Sequence, residues 1–456
     1  MKIAPPIRKK QRNPRNKVKA NVIGAGLAGA EAAYQLANRG IKVTVYEQKP
    51  VQMSEAHSYT GYGELVCSNS LRSDRLSNAA GLLKEEMRRL DSLIIKAAEN
   101  SRVPAGGALA VERYAFSDYI TKTLKAHENI EIVEKEVTDF RELDGLSIVA
   151  TGPLTSPKLT AAIQALLGED YFHFFDAAAP IVTAESVDMT RVFWGSRYDR
   201  GNDYLNCPMT KEEYDAFYQA LITAECVEMH GFEAENVFEG CMPVEVMAKR
   251  GYDTLRFGPL KPVGFENEEK EMPYALVQLR KEDREGRLFN LVGFQTHLKF
   301  GEQKRVFSMI PGLENAEYVR LGVMHKNTYI NGPKCLCNTY QLKKNADVYF
   351  AGQITGVEGY IESAASGLYA GIMAAHQLQG KKAPRLSRKT AIGALAEYVS
   401  NAATTNYQPM NITFGIMEEA DKRFRKRLHR REYIAKRALA EIDAYQAQLE
   451  YGKEMT

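Results

Sequence analysis

The most constraining feature of the chain is the stretch Val22-Ile23-Gly24-Ala25-Gly26-Leu27-Ala28-Gly29. It reads as the end of a short apolar strand, a glycine turn and the opening of an Ala-rich helix over 30–39. Gly24 lets the chain turn sharply, Gly26 lets backbone approach a pyrophosphate with no side chain between, and Gly29 lets the helix pack close to the strand. The helix N-terminus then aims free N–H groups at the phosphates. A second strand over 42–46 ends at Glu47, 18 positions past Gly29. That is close to the spacing of about 20 at which an acid takes ribose hydroxyls in dinucleotide folds. Strand, helix, strand and acid fall in register, so Gly24, Ala25, Gly26, Leu27, Ala28, Gly29 and Glu47 are predicted to bind a dinucleotide.

A chain of 456 residues with 45% hydrophobic side chains can bury two or three domain cores. No apolar run reaches the roughly 18 residues of a membrane span. The N-terminus is basic without an apolar h-region, so no secretory signal is read there. Six cysteines form no CxxC pair and no regular framework. Reduced thiols in a cytoplasmic protein follow. No His/Cys spacing resembles a zinc site and HExxH is absent, so no metal is expected. The net charge of +3 conceals an asymmetry: residues 1–20 carry eight basic side chains and no acid, and residues 421–437 carry a net +7. An acidic body with two basic ends suggests a polyanionic partner.

The fold class expected is α/β: a two-part FAD-binding Rossmann-like domain with an inserted α+β domain and a helical, basic C-terminus. Residues 1–17, with three prolines, read as a disordered basic extension. Residues 18–156 form the first part of the nucleotide domain. Within them, 82–98 has the helical spacing of Leu83, Met87, Leu90, Leu93 and Ile94. The run 146–152 is a buried strand closing in a tight turn at Gly152. Residues 157–330 change to irregular strands with helical pieces and read as an insert. Residues 331–380 restore the nucleotide pattern: the strand 347–350, Gly352, then a small-residue helix. Residues 381–456 are a helical region whose Arg423, Lys426, Arg427, Arg430, Arg431 and Arg437 can form one broad stripe at helical spacing.

This split order separates FAD from NAD as the tightly held cofactor. An NAD dehydrogenase completes its nucleotide domain in one piece, whereas two-dinucleotide flavoproteins close theirs with a late strand–Gly–helix. Two thiols then stand out. Cys67 lies in the polar loop 64–70, and Cys241 lies between Gly240 and Met242-Pro243, on backbone that cannot stay helical. Both suit an exposed reactive group; taken singly, each also fits an inert buried cysteine, as do Cys207, Cys226, Cys335 and Cys337. The segment 294–305 is dense in polar and aromatic groups. A flat heterocycle could stack on His297, and anions could meet Lys299, Lys304 or Arg305.

Longer segments carry a family likeness. NVIGAGLAGAEAAYQLANRGIKVTVYE, ELVCSNSLRSD, FEGCMPVEVMAKRGYDTLRFGPLKPVGF, VGFQTHLKFGEQKRVFSMIPGLENAEYVRLGVMHKNTYI and AGQITGVEGYIESAASGLYAGI resemble the folate- and FAD-dependent tRNA (uracil-5-)-methyltransferase family. The broader group holds larger flavoproteins that modify wobble uridine. The resemblance runs from about Lys19 to the basic C-terminal region. It implies methylation of carbon 5 of a uridine in the tRNA T-loop. Methylenetetrahydrofolate would be the carbon donor, FADH2 the reductant, and NADH or NADPH the electron source that reduces FAD. The same reaction on ribosomal RNA, or a non-catalytic tRNA-binding flavoprotein, stands as the alternative. Residue by residue, the likeness makes Cys241 the nucleophile that adds to uracil carbon 6 and Cys67 the second active-site thiol. It puts Gly352, Gln353, Gly356 and Gly359 near the flavin end and His297 against the folate pterin. The 1–17 extension, the segment 58–63, Cys335 and Cys337 depart from the family pattern.

Overall fold

The computed structural model describes residues 19–54, 56–168, 172–177, 179–197, 201–227, 242–265, 272–282, 286–322, 324–404, 407 and 409–454. The basic extension 1–17 and Cys241 lie outside the described residues.

The nucleotide fingerprint folds as its spacing predicts. Strand β1 (Lys19–Ile23) leads through Gly24 into helix α1 (Leu27–Ala37), and strand β2 (Lys42–Glu47) returns alongside β1 in parallel. Ala20, Val22 and Val45 are fully buried, as strands covered on both faces require. The six-stranded sheet runs in the order Gln341–Leu342, Asn345–Phe350, Leu146–Val149, β1, β2, Ile130–Glu134. Its pairings are parallel except at the edge strand Gln341–Leu342. The late strand Asn345–Phe350 thus pairs with Leu146–Val149 inside the sheet that β1 opened. The two-part domain expected from the sequence is one sheet.

Smallness then brings helices to backbone contact. The long helix Tyr360–Leu378 lies across α1. A Cβ at Gly367 would fall 2.1 Å from the Ala28 carbonyl oxygen, and one at Gly371 would fall 2.8 Å from that of Ala32. Glycine and alanine at these positions let the helices touch along their backbones.

One helix is two. The stretch 82–98 breaks at Asp91 (φ +62°) into Ala79–Arg89 and Leu93–Asn100. The break has a local cause. Ser92 caps the second helix by accepting from the Ile95 N–H at 3.2 Å. Fully buried Glu31 of α1 adds to the cap by accepting from the N–H groups of Leu93 and Ile94 at 3.3 and 3.0 Å. The apolar spacing runs on because both pieces bury the same side. Glu86 repeats the device, accepting from the Ala391 and Ile392 N–H groups at 2.7 and 2.9 Å at the start of helix Ala391–Ser400.

The insert carries an antiparallel sheet in the order Phe193–Gly195, Tyr204–Met209, Ala275–Lys281, Leu288–Leu291, Ile181–Thr183, Tyr318–Arg320. Its faces differ, as the period of two demands. Leu205, Cys207, Met209, Val277 and Leu279 point into a core shared with helices Lys211–Thr223 and Phe300–Phe307. On the other face stand Asn206, Gln278 and Arg280. A two-stranded ribbon, Phe172–Ala177 with Met324–Tyr329, carries the chain out to this sheet and back.

At the C-terminus, helix Arg427–Glu454 packs on Ala79–Arg89, where Arg89 reaches Asp443 at 2.7 Å. The single basic stripe is corrected here. Arg423 and Lys426 precede the helix. Arg437 donates to the carbonyls of Glu418 and Glu419, at 2.5 and 2.7 Å, and so draws the preceding segment back beside the helix.

Candidate active site

The carboxyl ends of the central strands open onto a cleft of about 1340 Å³, mouth included. Its near end is the fingerprint. Gly24 sits at φ +95° with its missing side chain facing the Ala150 carbonyl oxygen at 2.7 Å, so only glycine turns the chain there. A Cβ at Gly26 would meet nothing within 4 Å. The glycine therefore keeps space open at the first turn of α1, where helix N–H groups lack intrahelical acceptors. Glu47 accepts from the Ala25 N–H at 2.6 Å through one carboxylate oxygen and from the Lys49 N–H at 2.9 Å through the other. Each oxygen keeps a second lone pair for a hydroxyl donor. Open glycine, free helix end and ribose-ready acid together fit a dinucleotide.

The cleft continues past Thr151 and Gly152 to Gly352, Gln353, Tyr360, Ser363 and Cys67. Of the late residues named from the sequence, Gly352 and Gln353 line it. Gly356 and Gly359 stand behind. Gly356 backs onto the Tyr407 hydroxyl, and Gly359 caps the long helix beside Glu362.

At the far end, Cys67 and Tyr360 form a tight pair. The Tyr360 hydroxyl oxygen accepts from the backbone N–H groups of Cys67 at 2.7 Å and Ser68 at 3.2 Å. Both its lone pairs are then committed. Its own proton therefore points to the remaining neighbour, the Cys67 sulfur at 2.9 Å. Burial, and next the charge of Cys67, hold the Tyr360 pKa well above the ordinary phenol value, so it stays a neutral donor. A sulfur that accepts a hydrogen bond is favoured as thiolate.

Three guanidinium groups add to this, for Arg113, Arg280 and Arg320 each interact with the charge of Cys67. Arg113 pairs with Glu282 at 2.6 Å and donates to the Leu65 and Val66 carbonyls of the thiol's loop. Arg280 donates to Asn69 Oδ1 and Ser68 Oγ, both at 2.8 Å. Arg320 keeps one buried nitrogen, Nη2, with no hydrogen-bond partner among the described residues. These cations come from both halves of the molecule, so the thiol sits where nucleotide domain and insert meet. Tyr360 and the arginines were not singled out from the sequence. The signals were there: a tyrosine opening a small-residue helix, and Arg280 following the run Ala275-Leu276-Val277-Gln278-Leu279.

His297 lies elsewhere in the insert, 7% exposed, and is not on the cleft wall among the described residues. Its Nδ1 lies 2.7 Å from Glu245 Oε1, out of line for a good hydrogen bond but an ion pair when the ring is protonated. Burial alone would lower the His297 pKa. The contacts to Cys226 and Glu245 outweigh it and push the pKa up to about 9.

The basic cluster is divided. Arg423, Lys426 and Arg427 are exposed. Arg430 lies 3.8 Å from Glu419, and Arg431 lies over the Phe414 ring at 5.7 Å. No helix among the described residues is long and apolar enough to cross a membrane.

Comparison with known proteins matches this architecture. The family model described as glucose inhibited division protein A covers residues 19–382. The solved GidA of Aquifex aeolicus superposes with a TM-score of 0.68 over 96% of this chain and 76% of that one, at 18% identity, a likeness of fold. Two proteins named methylenetetrahydrofolate–tRNA-(uracil-5-)-methyltransferase TrmFO are much closer in sequence. That of Acetivibrio thermocellus is 58% identical over 93% of this chain and 98% of its own length. That of Listeria monocytogenes is 57% identical over 92% and 97%. With a fingerprint cleft that ends at a thiol, and identity at this level across nearly the whole of both partners, the chain belongs to the methylenetetrahydrofolate–tRNA-(uracil-5-)-methyltransferase family.

Proposed function

We propose that this chain methylates carbon 5 of a tRNA uridine, in the T-loop, with a one-carbon unit from methylenetetrahydrofolate. The observation that carries the reading is the 58% identity spanning 98% of a relative of that name. The cleft supports it chemically. Residues 18–156 and 331–380 jointly hold FAD: Gly24, Gly26, Gly29 and Glu47 take the adenosine and pyrophosphate, and Gly352 and Gln353 lie toward the flavin, with Gly356 and Gly359 shaping the turn behind. The electrons that turn a transferred methylene into methyl would come from the bound flavin in its reduced form, FADH2, which is left as FAD and reduced again by NADH or NADPH. Residues 157–330 receive folate and uridine, and residues 381–456 contact RNA through Arg423, Lys426, Arg427, Arg430 and Arg431. The work is cytoplasmic, where tRNA and folate meet.

Carbon 5 of uracil is a poor nucleophile until a thiolate adds to carbon 6. Cys241 takes that role. Cys67 is the second thiol, held as an acceptor by Tyr360 and inside the field of three arginines, and it is suited to receive the carbon-5 proton. The resemblance gives His297 to the pterin, although its ring is 7% exposed and off the described cleft wall, so that role requires the insert to open beside it.

The test follows the carbon. Label from methylenetetrahydrofolate should enter 5-methyluridine of tRNA and require NADH or NADPH, and Cys241→Ala should abolish transfer while FAD stays bound. Label arriving from S-adenosylmethionine, with none from folate, overturns the reading.

A further inference from the structure

Away from the cleft, three side chains of different chemistry converge in the insert. The donor atoms of Cys226, Glu245 and His297 all lie within 4.8 Å of one another. A thiol, a carboxylate and an imidazole are the three donor types that zinc takes from proteins. We propose that Cys226, Glu245 and His297 form a binding site for a zinc-class divalent cation, with a fourth position left to solvent.

The frame that holds the donors is rigid. The Val227 N–H donates to the His297 carbonyl at 2.8 Å and the Lys299 N–H to the Glu225 carbonyl at 3.0 Å, and Cys226 bridges to Leu298 between them. This short ladder fixes the thiol beside the imidazole. The Val244 N–H donates to the Gln295 carbonyl at 2.8 Å and so fixes the start of the helix that carries Glu245. The carboxylate is oriented in turn: its Oε2 accepts from the Thr296 hydroxyl at 2.9 Å and its Oε1 from the His297 N–H at 2.7 Å. Outer bonds of this kind aim a metal-binding carboxylate.

A second observation points inward. Fully buried Glu245 and 7%-exposed His297 place Oε1 and Nδ1 2.7 Å apart without the alignment of a hydrogen bond. A carboxylate oxygen and a ring nitrogen so close and so enclosed share one positive charge, which is the ring proton in the metal-free site and the cation once it has displaced that proton. A small rotation opens the pair to straddle a cation at ordinary bond lengths of roughly 2.0–2.2 Å, with the sulfur at about 2.3 Å. Access is provided by half-exposed Cys226 and by Val227, 55% exposed. Binding would release the thiol proton and any ring proton to solvent, with no change of oxidation state. Thiolate with imidazole selects zinc, cobalt or nickel over magnesium or calcium. The cation takes the imidazole at a ring nitrogen, in the plane of the ring, and the site does not rest on any stacking against His297. Spacing rules miss it because its ligands stand at 226, 245 and 297.

The experiment uses full-length protein with its flavin retained, incubated with zinc and freed of loose metal by gel filtration. Elemental analysis should find about one zinc per chain. Cys226→Ser should lower that at least about tenfold, whereas Cys337→Ser in the nucleotide half should not. Cobalt in place of zinc should give a thiolate charge-transfer band in the difference spectrum that Cys226→Ser removes. Wild-type protein retaining less than about a tenth of an equivalent, or Cys226→Ser retaining as much as wild type, overturns the site.

Discussion

The two halves of this molecule are packed by opposite means. The nucleotide half brings its central helices together through absence of side chain: α1 meets the long helix Tyr360–Leu378 at Ala28 and Ala32 against Gly367 and Gly371, with ring pairs such as Phe140–Phe350 packed elsewhere in that half. The insert is assembled through rings. Phe294 sits 5.4 Å from Phe307 and 6.2 Å from Phe217, and Tyr214 gathers Tyr218, Tyr252 and Tyr274 around it. A fold that must hold a long cofactor at backbone distance needs helices thin enough to reach it. The insert only has to carry side chains to the edge of that site, and a core of large rings does this with a firm sheet.

The contrast can be broken at its strongest point. Gly367→Val would drive a branched side chain into the Ala28 backbone, which cannot yield without parting the two pieces of the nucleotide fold. We expect a loss above about 4 kcal/mol, the exceptional end of single-residue effects, together with flavin release. Phe294→Ala should cost about 3–5 kcal/mol, the range for a buried phenylalanine emptied to a cavity. In the second variant flavin should stay bound at low denaturant. Circular dichroism read beside flavin fluorescence during urea unfolding distinguishes them. If Phe294→Ala releases flavin as readily as Gly367→Val, the halves are one packing unit and the contrast fails.

What could be read in the sequence follows the same division. The fingerprint is legible because pyrophosphate chemistry demands small residues at fixed local offsets, and Glu47 follows on the next strand. The late return at Gly352 is legible for the same reason. The break at Asp91 is not, because both helices bury one side and the cap comes from Glu31, sixty residues earlier. Tyr360 stands in plain view, but its partner Cys67 is 293 residues away. The arginines around that thiol come from the start of helix Arg113–Ala126 and from two strands of the insert, Ala275–Lys281 and Tyr318–Arg320. Cys226 looks inert by spacing and acquires its neighbours only through the insert's fold.

A smaller effect sharpens the comparison at the joint between halves. Tyr360→Phe removes one hydroxyl and leaves the ring. It deprives Cys67 of the hydrogen bond to its sulfur and leaves two backbone N–H groups without their acceptor. Stability should fall by about 1–2 kcal/mol. Alkylation of Cys67 near neutral pH, located by peptide mass spectrometry, should slow about tenfold, as expected for a thiolate that has lost roughly 1.4 kcal/mol of stabilisation. An unchanged rate would mean that the arginines alone set the state of the thiol.

The smallest effect on stability should come from the basic cluster, which belongs to neither core. Arg423, Lys426 and Arg427 are exposed and lie ahead of, or at, the start of helix Arg427–Glu454. Changing all three to Gln should alter stability by less than about 0.5 kcal/mol. Arg431 differs, because its guanidinium lies over Phe414 at 5.7 Å. Arg431→Gln should therefore cost about 0.5–1 kcal/mol, the worth of a cation–π interaction near the surface. Affinity for RNA should order the variants the other way. Each RNA phosphate that is no longer neutralised should flatten the dependence of log affinity on log salt by about 0.7–0.9. The triple variant should then flatten it by about 2–3, and Arg431→Gln by no more than the share of a single phosphate. These slopes come from tRNA binding titrated across salt concentrations. A triple variant with the wild-type slope would reduce Arg423, Lys426 and Arg427 to a solvated face, and the RNA-binding surface would then have to be sought on the polar face of the insert.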